Sequence, residues 1–185
     1  MGQDPLSSII QLFGQLYVFI IVLRFLLQIA KADYYNPICQ AVVKITAVPL
    51  APLQRILPRP ANIDLSPLLL AFLVNVALWA LILLLKGQGI GANLPAVMVI
   101  SGISVLSTIL DIYFYAVIGA VIISWVAPGS YHPGPQLIVQ LTEPVFGLAR
   151  RVIPSLGGLD LSPILIFFVI QIARSQLGSL THYLL

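Results

Sequence analysis

The chain has 185 residues, of which 59% are hydrophobic and 8% are charged, and its formal net charge is +3. Its mean hydropathy is +1.04, whereas a soluble domain carries about 25% charged residues. So few polar side chains cannot cover a soluble core, and lipid must therefore be the outer solvent. The few basic residues argue against a nucleic-acid partner and fit the anionic headgroups of a lipid bilayer.

Four apolar stretches are long enough to cross a bilayer as helices, which takes about 20 residues each. They lie near residues 9–30, 67–85, 105–126 and 163–183. The start of the third stretch is open, because the chain is already apolar from position 94. Residues 94–104 either extend the third span or form a separate short interfacial helix.

Two linkers, 31–65 and 127–161, are much longer than a turn between helices requires. Near its start each carries a proline, Pro37 or Pro133, where a helix can begin without losing a hydrogen bond. In the first linker one helical face should carry the apolar side chains Ile38, Val42, Ile45 and Pro49. In the second, Leu137, Ile138 and Leu141 should oppose Gln136 and Gln140.

Prolines inside both linkers predict that these helices are broken. The breaks should fall at Pro49 and Pro52 in the first linker and at Pro144 in the second, and in each linker a second short amphipathic piece should follow and end at Pro58 or Pro154. We expect the broken helices to lie in the membrane interface, with basic residues toward the headgroups. Alternatively they pack on the transmembrane bundle, and the two arrangements are compatible. The basic residues are Lys44, Arg55, Arg150 and Arg151.

Each linker closes on the same four residues, Asp-Leu-Ser-Pro. They stand at Asp64, Ser66 and Pro67 in the first linker and at Asp160, Ser162 and Pro163 in the second. The pattern predicts a serine N-cap with proline at the first helical position, and an aspartate whose charge favours the positive end of the helix. A cation site built from the two related aspartates is the alternative.

These similarities belong to a longer internal repeat. Residues 35–77 return at 131–173 with a constant offset of 96 positions and 14 identities in 43. We therefore expect an all-α membrane protein with one repeat in 1–92 and one in 93–185. Each repeat would consist of a transmembrane helix, a broken amphipathic interfacial helix and a second transmembrane helix. The two repeats should be related by a pseudo-two-fold axis along the membrane normal.

The distribution of basic residues predicts the orientation. The linkers hold six Lys and Arg residues, counting Arg59, whereas the opposite side holds only Lys86. The positive-inside rule therefore predicts cytoplasmic linkers and outward N- and C-termini, as a multi-pass protein of the bacterial inner membrane.

Polar side chains within the spans are the candidate functional residues, because burying them in lipid is costly. They are Arg24, Asn75, Asp111, Gln171 and Arg174. A rise of about 1.5 Å per residue puts Arg24 level with Asn75 and lets Arg174 reach Asp111. We expect Asp111 to pair with Arg174, with Arg24 as the second choice. Such a pair would lock the bundle, while an ion or proton path and snorkelling of Arg24 remain as alternatives.

Nothing in the sequence resembles a catalytic, metal or cofactor site, so we expect no enzyme and no cofactor. The first functional hypothesis is a non-catalytic interaction or assembly protein with membrane-protein partners or self-association. The second is an oligomeric potassium or proton channel or an ion-coupled transporter, since four spans rarely enclose a pore alone.

The chain resembles the YggT family, also called YlmG in some bacteria, over nearly its whole length. The resemblance is carried by Leu23-Arg24-Phe25-Leu26-Leu27 and Pro52-Leu53-Gln54-Arg55-Ile56-Leu57-Pro58 in the first half, and by Arg150-Arg151-Val152-Ile153-Pro154 and Gly158-Leu159-Asp160-Leu161-Ser162-Pro163 in the second. It implies a small integral membrane protein of the bacterial inner membrane or of plastids. It also implies links to osmotic-stress tolerance and ion homeostasis in bacteria, and to cytochrome b haem attachment or to division in photosynthetic lineages. It implies no catalytic residue.

Overall fold

The computed structural model of the protein describes residues 5–58, 60, 63–153 and 160–184. These residues form six helices: α1 Pro5–Ile29, α2 Pro37–Ile56, α3 Ser66–Leu85, α4 Ile90–Val126, α5 Pro133–Val152 and α6 Ser162–Leu184. Four of them, α1, α3, α4 and α6, contain stretches long and apolar enough to cross a membrane. Arg59, residues 61–62 and residues 154–159 of the expected linkers lie outside the described residues.

The helices repeat with the 96-residue offset of the sequence. Helices α2 and α5 begin and end at equivalent positions, 37 and 133, then 56 and 152. Helices α3 and α6 likewise both begin at the serine of the Asp-Leu-Ser-Pro motif. Each half of the chain thus has the order span, linker helix, span.

The third span has the longer of its two expected forms. Helix α4 runs without interruption from Ile90 to Val126 and includes Pro95. Proline removes the hydrogen bond to the carbonyl four residues earlier, here Gly91. Gly91 is exposed, so its carbonyl needs no partner from the protein. Residues 94–104 therefore extend the third span.

The expected breaks in the linker helices are wrong. Both α2 and α5 are continuous through their internal prolines. The carbonyls that Pro49 and Pro52 leave without an intrahelical partner belong to Ile45 and Val48. Both of these residues are exposed on the outer side of α2, where water or headgroups can satisfy them. A proline breaks a helix less readily when the freed acceptor is not buried.

The buried face of α2 also differs from the expected one. The helix buries Cys39, Val42, Thr46 and Leu50, and it leaves Ile38 and Ile45 exposed. The buried face is therefore turned by about one residue, because it includes a polar threonine that apolar patterning alone would place outside. In α5 the observed buried face is closer to the expected one, since Leu137 and Leu141 are buried and Ile138 is partly buried.

The core is formed by the spans together with the inner faces of the linker helices. Helix α1 packs on α2, α3 and α4, and α4 packs in addition on α5 and α6. Between helices in lipid, close van der Waals packing replaces the hydrophobic effect as the driving force. Among the described glycines the tightest surroundings are at Gly14 of α1, where an added Cβ would lie 2.3 Å from a methyl carbon of Leu78 on α3.

Candidate functional sites at the linker end and within the spans

The two linker helices meet at the same end of the bundle. The backbone N–H of Asp33, just before α2, donates to Oε1 of Gln140 on α5 at 3.0 Å. Asn36 caps α2 by accepting from the N–H of Ile38 at 2.9 Å, and its Nδ2 donates to the carbonyl of Pro133 at 2.8 Å. The cap of the first linker helix is therefore also a tie between the repeats. The equivalent N-cap, His132, makes no side-chain cap bond.

The aspartates of the Asp-Leu-Ser-Pro motifs cap the returning spans, whereas the serines do not. The N–H of Ser66 donates to Asp64 Oδ1 at 2.9 Å, and the N–H of Ser162 donates to Asp160 Oδ1 at 2.9 Å. The hydroxyls of both serines are buried without a hydrogen-bond partner among the described residues. The prediction of a serine N-cap is therefore wrong.

The reason lies in the position at which each helix begins. Leu65 is the N-cap of α3 and Ser66 is its first residue, so Pro67 stands second. A carboxylate two residues before the first helical N–H reaches that donor, which no carbonyl of the helix can satisfy. The two aspartates belong to different repeats, and each accepts from the backbone N–H of the serine in its own motif.

The first linker cavity, of about 500 Å³, lies between α1, α2 and the start of α3. Its polar lining consists of Arg24, Gln28, Tyr34, Gln54 and Asp64. Nη1 of Arg24 donates to the carbonyl of Val43 at 3.1 Å and to Oγ1 of Thr46 at 2.8 Å. Arg24 thereby ties the first span to the first linker helix through two neutral oxygens.

The lining of the same cavity also carries an amide and a carboxylate. Nε2 of Gln54, near the end of α2, donates to Oδ2 of Asp64 at 2.6 Å. Among the described lining residues, Arg24 and Asp64 thus carry opposite charges on different elements of the chain. Neither Gln54 nor its contact was expected from the sequence.

The second linker cavity, of about 570 Å³, lies between α4, α5 and the start of α6. Arg150 of α5 holds two acids there, Glu143 through Nη1 at 3.1 Å and Asp160 through Nε at 3.1 Å. The Ser162 side chain, its backbone N–H and the Arg150 guanidinium together hold the pKa of Asp160 below its usual value. The Ser162 hydroxyl does not have the geometry of a hydrogen bond to this carboxylate. It therefore acts on the pKa of Asp160 through its nearby dipole.

The two cavities are equivalent under the repeat. Five lining positions match at an offset of 96: 24 with 120, 28 with 124, 43 with 139, 54 with 150, and 64 with 160. Arg24 is replaced by Ala120, while Gln54 is replaced by Arg150. The arginine of the first cavity therefore belongs to the span, whereas the arginine of the second cavity belongs to the linker helix. The 96-residue alignment already shows both exchanges, Arg24 for Ala120 and Gln54 for Arg150. Only the structure shows that the two exchanged positions line the same cavity.

The expected pair within the spans is confirmed. Nη2 of Arg174 on α6 donates to Oδ1 of Asp111 on α4. The Arg174 guanidinium also lies 4.3 Å from the ring centroid of Phe114, in cation–π geometry. The Arg174 side chain is 25% exposed and the Asp111 side chain is 52% exposed. The carboxylate therefore reaches the outer surface of the bundle.

A polar groove of about 330 Å³ adjoins this pair. Its lining includes side chains from four spans, among them Gln15, Asn75, Ser107, Asp111 and Thr181. Asn75 is buried, and its Nδ2 donates to the carbonyl of Ala71 at 3.1 Å. Asn75 thus shares a groove with Asp111, and Arg24 lines a different cavity although it was expected at the same level.

The remaining candidate residues stand apart from both cavities and the groove. Gln171 is exposed on α6. Lys44, Arg55 and Arg151 are exposed on the linker helices, as expected of side chains that reach headgroups. Arg150 differs from them because both of its acid partners hold it at the second cavity.

Four apolar spans, two linker helices at one end and an exact 96-residue register define a small all-helical multi-pass membrane protein made of two tandem repeats. The family model described as CCB3/YggT matches residues 3–85 and again residues 99–181. The two matches are separated by the same offset of 96. The chain belongs to the CCB3/YggT family.

The chain is similar to proteins of this family along most of its length. A protein of Pseudomonas aeruginosa named only as uncharacterized is 47% identical over 164 residues, covering 89% of this chain and 83% of the relative. The uncharacterized protein YggT of Escherichia coli is 32% identical over 185 residues, covering 98% and 95%. A Vibrio alginolyticus protein is 34% identical over 177 residues, covering 96% and 95%. No solved structure matches the chain.

Proposed function

We propose that this protein is a non-catalytic assembly factor of the bacterial inner membrane. Its linker helices would lie at the cytoplasmic face and hold partner membrane proteins, and the resemblance to the YggT family implies that this role supports osmotic-stress tolerance. The cytoplasmic placement is supported by the six-to-one excess of Lys and Arg at the linker end. A periplasmic reporter fused after the last residue should be active, and a cytoplasmic reporter there should be silent.

The observation that carries the proposal is the outer surface of the paired linker helices. Val48 and Ile56 of α2 are 82% and 80% exposed, and Val152 of α5 is 71% exposed. Basic residues Arg55 and Arg151 are exposed among them. Contiguous exposed apolar patches mark interaction sites, and these residues supply exposed apolar surface on both linker helices.

Site-specific photocrosslinking in cells tests the proposal. A photoreactive residue at Val48 or at Val152 should capture the same protein partner, whereas one at Phe168, an exposed residue of the α6 span, should capture lipid. Charge reversal at Arg55 or Arg151 should abolish the protein adduct and the rescue of growth under osmotic upshift. Reversal of Lys86, the basic residue of the opposite end, is the matched control and should change neither. Lipid adducts alone at all three positions would contradict the assembly role.

A second candidate function is ion conduction by an oligomer, and the polar groove beside Asp111 favours it. A carboxylate, two amides and hydroxyls lining one groove between four spans are the groups that line ion and proton paths. Purified protein in liposomes should then pass potassium or protons, and Asp111→Asn should abolish the flux. Ser179→Ala, outside the groove, is the control. Absence of flux for the unchanged protein would remove this candidate.

A further inference from the structure

We propose that exposed aromatic side chains at the linker end of the bundle form a belt that anchors the protein in the headgroup layer of the bilayer. The belt consists of Tyr34, Tyr35, Trp125 and Tyr131. The proposal goes beyond the assembly role, because it concerns lipid contacts before the linker helices begin and not a protein on their outer surface.

The four side chains stand where the first span of each repeat gives way to its linker helix. Tyr34 and Tyr35 lie between α1 and α2, Trp125 lies in the last turn of α4, and Tyr131 lies two residues before α5. In chain order they are 63%, 85%, 83% and 96% exposed. Aromatic rings bury large apolar areas in most folds, so these four need an apolar contact from outside the chain.

The polar ends of these side chains indicate where that contact is found. No hydrogen bond joins the three tyrosine hydroxyls or the indole N–H of Trp125 to any residue that the structure describes. In the hydrocarbon core these groups would have no partner, and in water the rings would have no apolar contact. The headgroup layer supplies both, because it has apolar chain ends on one side and lipid oxygens and water on the other.

The repeat and the tie between the linker helices bring the two halves of the belt to one end. Tyr35 and Tyr131 are equivalent at the offset of 96, and each directly precedes the N-cap of its linker helix, Asn36 or His132. Nδ2 of Asn36 donates to the carbonyl of Pro133 at 2.8 Å. The two tyrosines therefore flank the joint between the repeats, and lipid contact at both would hold this joint at one depth.

The first half of the belt also has a fixed shape. The backbone N–H of Tyr35 donates to Oδ1 of Asp33 at 2.9 Å. The ring of Tyr34 meets that of Tyr35 edge to face, with 6.4 Å between the ring centroids. The two rings are therefore presented together, which reduces the entropy lost when they enter the headgroup layer.

The ends of the spans favour lipid over a protein as the occupant. A helix that crosses the hydrocarbon core has its ends at the bilayer boundary, and Trp125 lies in the last turn of such a helix. Ile56 and Val152, which belong to the surface proposed for a protein partner, stand at the opposite ends of α2 and α5. The two surfaces are therefore separate.

Tryptophan fluorescence tests the proposal, because the chain contains two tryptophans, Trp79 and Trp125. Trp79→Phe leaves Trp125 as the sole reporter. Trp125→Phe is the matched control and leaves Trp79, which stands 13 residues after the first residue of α3 and therefore roughly 20 Å from the linker end. Each variant is placed alone in phosphatidylcholine vesicles that carry bromine either near the headgroup or near the ends of the acyl chains.

The shallow bromine should quench Trp125 about twofold or more strongly than the deep bromine. Trp79 should show the reverse order, because it lies closer to the bilayer centre. Stronger quenching of Trp125 by the deep bromine would overturn the anchor, and so would equal quenching by the two. Absence of quenching by either bromine would also overturn it, and protection from soluble iodide in that case would indicate a second copy of the chain as the occupant.

A spin label gives the same depth should Trp79→Phe not fold. Ser130→Cys places the label beside Tyr131 and leaves all four rings in place, and the native Cys39 is buried. Gln88→Cys, at an exposed position of the turn at the opposite end, is the control. Collisions with a soluble nickel chelate should be several-fold rarer at position 130 than at position 88. Equal collision rates at the two positions would overturn the proposal.

Discussion

The two linker cavities have the same architecture but place their arginine on different helices. In the first, Arg24 of a span bonds the backbone and Thr46 of the linker helix. In the second, Arg150 of the linker helix bonds Glu143 and the aspartate before the next span. The equivalent threonine, Thr142, donates only to carbonyls of its own helix. One repeat therefore ties span to linker with a partly buried charge, whereas the other ties the linker to the next span at the surface.

The spans differ between the repeats in a related way. Gly14 and Leu78 pack closely in the first repeat, and the equivalent positions in the second are Leu110 and Arg174. Asp111, the partner of Arg174, is equivalent to Gln15. At these two equivalent positions repeat one thus has close apolar packing, whereas repeat two has an ion pair. A tandem repeat preserves the helices more strictly than the contacts between them.

The largest expected effect comes from converting the ion pair of repeat two into the residues of repeat one. Asp111→Gln alone or Arg174→Leu alone leaves an unpaired charge in the membrane, which costs about 2.5–3.5 kcal/mol on insertion scales. The double variant should recover most of that loss, because it removes both charges and leaves neither without a partner in the membrane. Reversible unfolding in mixed detergent measures all three. Additive losses in the double variant would mean that the two charges do not act on each other.

The second prediction compares the two arginines of the linker cavities. Arg24→Ala removes hydrogen bonds from a charged donor and should lower the free energy of unfolding by about 1.5–3 kcal/mol. Arg150→Ala removes exposed ion pairs, which are worth about 0–1 kcal/mol. The same unfolding assay decides between them. A larger loss for Arg150→Ala would reverse the assignment of the tighter tie to repeat one.

The third prediction concerns the close packing of repeat one. Gly14→Ala would place a methyl group 2.3–2.9 Å from three carbons of Leu78, and overpacking of this kind costs about 1–3 kcal/mol. Adding Leu78→Ala should restore part of the stability by giving room to the new methyl group. Gly102→Ala, whose Cβ would meet no atom within 4 Å, is the control. Thermal denaturation of the unchanged protein and the three variants in detergent checks the order.

The smallest effect is a pH dependence that only the second cavity should supply. Because the pKa of Asp160 is lowered in the fold, its charged form contributes stability above the ordinary aspartate pKa of about 3.9. That contribution is lost as the pH falls through the lowered pKa of the folded state. Asp160→Asn should flatten this part of the profile while still accepting from the N–H of Ser162. Unfolding midpoints measured from neutral pH down to about pH 3 test it, and a profile that Asp160→Asn leaves unchanged would exclude this carboxylate as the cause.

Much of the candidate site was predictable one residue at a time, but its grouping was not. The depth argument paired Asp111 with Arg174 correctly, because both lie on long straight spans whose rise per residue is known. The same argument placed Arg24 with Asn75 and missed Thr46, because α2 is not a span and its side chains have no defined depth. Gln54 and Glu143 were missed because each acts only through a contact across a linker.

The sequence by itself determined the existence of the four spans, their order and the 96-residue register, though not the start of the third span, because hydropathy and internal identity are properties of the chain that need no folded partner. It also located the starts of the linker helices and of the returning spans, which local proline and aspartate chemistry decides. The tertiary structure decided whether the prolines break α2 and α5, which face of α2 is buried and where each arginine finds its oxygen acceptors. Those outcomes depend on what packs against each carbonyl and side chain, and residues distant in the sequence supply those partners.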